Sequence, residues 1–230
     1  MTDKPASPPS NFPKMVDYNP PKGPLKVLRE SAAFLCVEKP SGLLSVPGKD
    51  PAHRDCVEAR VRAEFSDARI VHRLDMDTSG VMIFARGAAA HRHLGLQFER
   101  RVVSKRYLAE VQGQVDGPRG RIDLPLITDW PNRPLQKVCL ETGKRAITRY
   151  LVLLGGASSI VALYPRTGRS HQLRVHMKEI GHPILGDRFY GTSDAAPRLR
   201  LHAQRLRFRD PEGGHWIEVN SGSIKDFSDG

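Results

Sequence analysis

The 230-residue chain has only three cysteines, Cys36, Cys56 and Cys139. Their number is odd, their spacings are wide, and no Cys-x-x-Cys pair occurs. That excludes a disulfide framework and a zinc knuckle, and predicts free thiols in a reducing cytoplasm. No apolar run approaches the roughly 20 residues needed to cross a bilayer. The opening MTDKPASPPS lacks the apolar core of a signal peptide. There is no Gly-x-x-x-x-Gly-Lys-Ser/Thr phosphate loop, no Gly-x-Gly-x-x-Gly after a strand and no Gly-x-Ser-x-Gly elbow. His171 and His176 are not at the four-residue spacing that stacks two ligands on a helix face, and no Glu lies between them, so no metal site is expected. No period of roughly 20 to 50 residues repeats, which argues against a solenoid.

What is present begins with charge. Lys and Arg number 36 against 25 Asp and Glu, a formal net charge of +11. Such a chain attracts polyanions, and without a Lys/Arg-rich amphipathic helix the nucleic-acid option outweighs the membrane one. The 39% hydrophobic and 27% charged composition is that of a globular protein with a proper core.

Residues 1–24 are proline-dense and read as an extended or disordered arm. The folded region is expected over 25–220, with 221–230 as a tail. Apolar runs predict strands at 33–37, at Ile70-Val71, at 81–85, from Tyr107 onward, at 146–154 and 160–163, and as a last hairpin at 201–208 and 216–219. Helical spacing marks 55–65, 88–101 and 171–180, the last stopped by Gly181. Residues 119–138 read as loop-rich, with 129–134 at the centre. Strands following one another in hairpins point to an α+β fold with a largely antiparallel sheet.

The chemistry concentrates in 70–86, where two apolar runs flank His72-Arg-Leu-Asp75-Met-Asp-Thr-Ser-Gly80. Loops held between rigid strands are where proteins tend to place reacting groups, and Asp75 is the candidate. A carboxylate can attack a carbon or stabilise an oxocarbenium-like centre, which suits a sugar C1′ or an activated ring better than a peptide bond. A guanidinium such as that of Arg174 would favour its charged form. Tyr107 could stack on a base. Taken singly, Tyr107 is an ordinary half-buried strand tyrosine, and Arg169 or Arg174 a surface ion-pair partner. Trp130 and Cys139 read as packing residues.

The loop at 72–80 resembles the signature of the RluA family of RNA pseudouridine synthases. Three further stretches resemble that family in the same order: VEKPSGLL at 37–44, KRYLAEVQG at 105–113, and TGRSHQLRVH at 167–176 continuing to GHPILGD at 181–187. DYNPP at 17–21, PSGLLSVPG at 40–48 and DWPNRP at 129–134 resemble a dual-specificity member. The resemblance implies a pseudouridine synthase fold: one catalytic domain with a mixed, largely antiparallel central sheet flanked by helices and loops, and a central RNA-binding cleft. No S4-type domain is expected, since residues 1–24 are too short to be one.

The same resemblance makes Asp75 the essential aspartate, Tyr107 the tyrosine packed on the target base, and Arg174 the arginine paired with the aspartate. Arg73 fills the gap left by the everted uridine, and His72, Arg101, Lys105 and Arg169 contact RNA. Asp77 is given no catalytic role. The implied partners are tRNA, at an anticodon-loop uridine, and 23S ribosomal RNA, at a hairpin-loop uridine. No cofactor or metal is implied, and the enzyme is expected to be a cytoplasmic monomer without an obligate protein partner. Whether Asp75 adds to C1′ or to the uracil ring, or supports a glycal route, is open at this level. A non-catalytic RNA-binding protein on the same scaffold and an Asp-nucleophile nucleoside hydrolase are the rival readings.

Overall fold

The strand of SGVMIFAR sequence is buried on both faces, so it shows a continuous apolar run where a half-exposed strand would alternate. This strand organises half of the sheet. In the computed structural model, which describes residues 18–191 and 196–222, the elements are β1 (Lys26–Glu30), β2 (Phe34–Lys39), α1 (Val57–Glu64), β3 (Ala68–Ile70), β4 (Ser79–Arg86) and α2 (Gly87–Glu99). There follow β5 (Ser104–Gln112), β6 (Arg119–Asp123), β7 (Leu126–Thr128), β8 (Gln136–Val138), β9 (Ile147–Leu154), β10 (Ser158–Pro165), α3 (Gln172–Glu179), β11 (Leu201–Arg209) and β12 (Trp216–Asn220).

Strand order is β1-β2-β4-β11-β5-β10-β9-β6, with β3 on β4, β12 on β11, and β7-β8 as a separate pair. Every pairing is antiparallel except β4 with β11, which is parallel over Ser79–Gly80 and His202–Ala203. The fold is therefore α+β with a mixed, largely antiparallel sheet, as expected.

The alternation of β4 and β2 splits the core. Val81, Ile83, Phe34 and Cys36 face the cluster that includes Ala90 and Leu94 of α2. Met82, Phe84, Leu35 and Val37 face the one that includes Val57 and Val61 of α1. Across the sheet Ala109 and Val111, with Tyr107 against them, pack on Leu173 and Met177 of α3. Tyr107 also packs against the α1-side cluster, so its ring sits where two cores meet. Burying side chains of this size contributes about 1.5–3 kcal/mol each.

Several boundaries differ from the sequence reading. β3 is Ala68–Ile70 rather than Ile70-Val71, and β5 begins at Ser104, three residues before Tyr107. The stretch 119–138, read as loop-rich with no strand assigned, holds three short strands. β6 is charged and largely exposed, and its Gly120 lies opposite Tyr150, whose ring occupies the space a Cβ would take. An exposed edge strand with a glycine carries no apolar period, and three-residue strands are too short to show one. Of the arm at 1–24, residues 1–17 lie outside the described residues. The remainder is strapped to α1: Tyr18 Oη donates to Asp55 O at 2.6 Å, and the Arg60 guanidinium donates to Pro21 O and Gly23 O.

Where β4 meets β11, Gly80 has φ +118° and an added Cβ would lie 2.2 Å from Ala203 O. Both the backbone angle and the contact require glycine. Gly80→Ala is expected to cost roughly 2–4 kcal/mol in urea unfolding, by strain plus overpacking; unchanged stability would show that the two strands separate freely.

Candidate active site

The loop carrying Asp75 leads into β4, and the turn after β2 lies against it. Every backbone carbonyl from Leu74 to Thr78 is taken. Ser45 Oγ donates to Leu74 O at 2.6 Å, the Thr78 amide to Asp75 O at 3.1 Å, and Ser41 Oγ to Asp77 O at 2.7 Å. Lys39 Nζ donates to Met76 O at 2.6 Å, to Thr78 O at 2.8 Å and to Pro40 O at 2.9 Å. The Gly42 amide adds a second bond to Met76 O, and Ser45 Oγ in turn accepts the Leu74 amide.

Lys39 is fully buried. Its ammonium has three N–H groups, and three carbonyls take them. Burial pushes its pKa down to about 7, with Asp77 and then Asp75 pulling it back up. The sequence reading quoted Lys39 only as part of a motif. The available signal was parity: Lys39 continues the inward row of Leu35 and Val37, so a charge was due at a buried position.

Arg174 comes from α3 and is 2% exposed in its side chain. Its strongest partner is Asp187, also fully buried, gripped through Nε at 2.7 Å and Nη2 at 2.6 Å. Asp187 Oδ1 further accepts the Phe189 and Tyr190 amides. Nη1 is left to face Asp75 Oδ2 at 3.6 Å. Burial opposes the Arg174 charge, yet the bonds and charge of Asp187, then Asp75, raise its pKa above the usual value. The Phe189 and Tyr190 rings lie about 5.1 and 5.2 Å from the guanidinium carbon. Asp187, like Lys39, was quoted only within a motif and given no role, and Tyr190 was missed; neither has a periodic spacing to Arg174 that would mark it as a partner.

The turn before α3 is fixed through Gln172. Its Oε1 accepts from Thr167 Oγ1 and the Arg169 amide, while its Nε2 donates to Ile147 O and Thr148 Oγ1. His171, the N-cap just before Gln172, has φ +52° and stacks on Phe189. Its Nδ1 lies 2.7 Å from Tyr190 Oη, which accepts the Gln136 amide at 2.8 Å. The β7-β8 hairpin is thereby tied to the wall of the site. Trp130 in that hairpin is 65% exposed with Arg133 over its ring, so it is not the packing residue expected.

All eight sequence-predicted residues line one cleft. A cavity of about 750 Å³ is bordered by His72, Arg73, Asp75, Arg101, Lys105 and Arg169. It adjoins a recess of about 70 Å³ where Asp75, Tyr107, Arg174 and His171 meet. Burial, then the charge of Asp75, pushes the Tyr107 phenol up, so it stays neutral. Burial lowers the Lys105 pKa. His72 accepts the Ile83 amide on Nε2 at 3.1 Å and stacks on Phe98, and burial followed by Lys105 takes its pKa down to about 3. One of its ring nitrogens is thus committed to the backbone. Asp77 pairs with Arg188 at 3.0 Å.

A single carboxylate with an arginine locked behind it and a neutral phenol, set in a basic cleft, is an arrangement that can bring an acid to a polyanionic substrate, the class of an enzyme acting on nucleic acid. The family model for RNA pseudouridylate synthase matches residues 33–179, and the chain belongs to that family of isomerases. It is 52% identical over 207 residues to the dual-specificity RNA pseudouridine synthase RluA of Salmonella typhimurium, covering 87% of this chain and 94% of that protein. Identity to the Vibrio parahaemolyticus protein of the same name is 49%, over 88% of this chain and 85% of that one. The solved structure of human RNA pseudouridylate synthase domain containing 1 superposes with a TM-score of 0.72 at 31% identity, covering 86% and 83% of the two chains.

Lys39→Met removes the Lys39 donor from Pro40 O and Thr78 O, while Met76 O keeps the Gly42 amide. A loss of about 2–4 kcal/mol in unfolding free energy is expected, together with loss of activity. The folded pKa of Lys39 lies below its ordinary value of 10.5. The unfolded chain therefore binds the extra proton between pH about 7 and 10.5, and stability relative to the Met variant should rise with pH across that window. A Met variant as stable and active as wild type would contradict this role.

Proposed function

We infer that the chain isomerises uridine to pseudouridine in stem-loops of tRNA and of 23S ribosomal RNA, as a cytoplasmic monomer without an obligate protein partner. The observation that carries this reading is that Asp75, Tyr107 and Arg174, from three separate stretches of sequence, border one recess. The tRNA and ribosomal substrates are carried by the similarity to enzymes named as dual-specificity.

The reaction breaks the N1–C1′ bond, forms a C5–C1′ bond, moves a proton off C5 and returns one to N1. It is redox-neutral, so a nucleophile, a stacking surface and proton traffic suffice. Asp75 is the group that reacts with the everted uridine. Tyr107 packs on the base, and Arg174, fixed by Asp187, holds the carboxylate in place. Arg73, exposed at the rim, fills the gap left in the RNA loop. Lys105, Arg101 and Arg169 meet phosphates, and His72 forms part of the wall. A loop nucleotide partly avoids the few kcal/mol that eversion from a stack costs, and phosphate contacts make affinity depend on salt.

Asp75→Asn is expected to abolish pseudouridine formation on a uridine-bearing stem-loop while keeping RNA affinity within about threefold, because Asp187 still satisfies Arg174. An active Asn variant would overturn the assignment, and released uracil from the wild type would mark a hydrolase instead. Tyr107→Phe should bind RNA better than Tyr107→Ala by about 1–3 kcal/mol. Equal defects in a titration of labelled stem-loop would rule out stacking.

A further inference from the structure

Alternation along the β11-β12 hairpin sends Leu206, Phe208, Ile217 and Val219 into the core. The opposite face then carries Arg205, Arg207 and Arg209 on one strand, and Trp216, Glu218 and Asn220 on the other. Glu218 pairs with Arg205 at 3.6 Å. Arg207 and Arg209 both place their guanidinium carbons over the Trp216 ring, at 4.6 and 4.2 Å. Among the described residues β12 pairs with β11 alone. Trp216 is 39% exposed there. A large indole left at the solvent side of an edge hairpin and backed by two arginines is not needed for the core beneath it.

The position of this plate matters. Gln97 of α2 donates to Arg209 O at 2.8 Å and accepts the Arg209 amide at 2.7 Å. Arg100 caps α2 and Arg101 follows it with φ +58°, and the Val102 amide returns to Gln97 O at 2.9 Å, which keeps this turn at the helix end that Gln97 ties to Arg209; both arginines are exposed. Arg101 borders the cleft. In the sheet, Leu206 is the register partner of Lys105, itself a cleft residue. Arg209 lies three residues further on, about 10 Å along the strand. Arg207, Arg209 and Trp216 thus lie on the outer face of the sheet, opposite the side that Leu206 shares with Lys105, and RNA leaving the cleft past Arg101 and Arg100 would reach them by turning round this end of the hairpin.

We propose that the Arg207–Trp216–Arg209 plate is a second RNA-contact surface, which takes a single-stranded segment flanking the stem-loop in the cleft. This rests on the RNA-modifying function above and extends its footprint. A base stacks on the exposed part of the Trp216 indole, and the guanidinium edge of Arg207, with that of Arg209 not committed to Gly214 O at 3.0 Å, donates to the adjoining phosphates. Arginine can do both at once, because its plane stacks while its rim keeps N–H donors free. Base–aromatic stacking is tolerant of sequence, so the surface lends affinity and leaves selection of the uridine to the cleft.

The test uses the full chain and two RNAs: a stem-loop with the target uridine, and the same stem-loop extended by about ten unpaired nucleotides at either end. Wild type should bind the extended RNA about tenfold more tightly, equivalent to about 1.4 kcal/mol. Trp216→Ala, and Arg207→Gln with Arg209→Gln, should remove that gain while turnover on the short RNA stays at the wild-type rate. For the double variant the slope of log affinity against log salt on the extended RNA should fall by about 1.4, two phosphates on a single strand. Equal affinity of wild type for both RNAs, variants that keep the gain, or an equal loss on the short RNA would each overturn the proposal. Absence of pseudouridine from wild-type reactions on both RNAs would count against the enzymatic reading, while the affinity difference would still decide the surface.

Discussion

The site depends on how a loop without secondary structure of its own is held still. Five consecutive carbonyls, Leu74 to Thr78, need donors, and they find them in Lys39, Ser41, Gly42, Ser45 and the loop's own Thr78 amide. Four of these donors come from the end of β2 and the turn after it. The sheet pairing of β2 with β4 therefore sets both the strand that follows the loop and the chain that grips it from behind. A buried ammonium is costly unless its donors are all used. Here all three bonds go to backbone oxygens, which suits a device that positions a neighbouring side chain without competing for it.

The arginine behind Asp75 is handled in the same way. A guanidinium with only Asp75 as partner would follow that carboxylate wherever it moved. Arg174 instead has its fork on Asp187, which is itself pinned by two amides of the following turn, and offers only Nη1 at 3.6 Å to Asp75. Asp75 keeps part of its surface in the cleft, with its side chain 27% exposed. Two carboxylates around one arginine thus divide the work, with the buried one giving position and the partly exposed one left open to the cleft. The Gln136–Tyr190–His171 chain adds a link from the β7-β8 hairpin to the cleft wall, so the outer rim and the recess share a hydrogen-bonded support.

Much of this was visible in the residues. The unbroken apolar run of β4, the parity that puts Tyr107 with Ala109 and Val111, and the helix bearing Arg174 all follow from period and burial. Period and burial placed these elements but left Tyr107 an ordinary strand tyrosine and Arg174 a surface ion-pair partner; the roles of the candidate site residues came from the resemblance of their motifs to the RluA family. Lys39 was harder, since a lysine before a proline reads as a solvated turn unless the inward parity of Leu35 and Val37 is followed one step further. Asp187 was not legible as the main partner of Arg174, because pairing across a turn has no period. Nor were β6, β7 and β8, because exposed edge strands and three-residue strands bury too little to leave a pattern. Trp130 was misjudged for a related reason: tryptophan content alone does not reveal which side of a hairpin faces water.

That the Asp75 loop is built rigid before RNA arrives can be measured by native-state amide hydrogen exchange on the free protein, at the Leu74 and Thr78 amides, which donate to Ser45 Oγ and Asp75 O. Protection close to that of Phe84 in β4 is the predicted result. Exchange as fast as at exposed Gly155, with protection appearing only when RNA is added, would contradict a preformed loop and make the site one that folds onto its substrate.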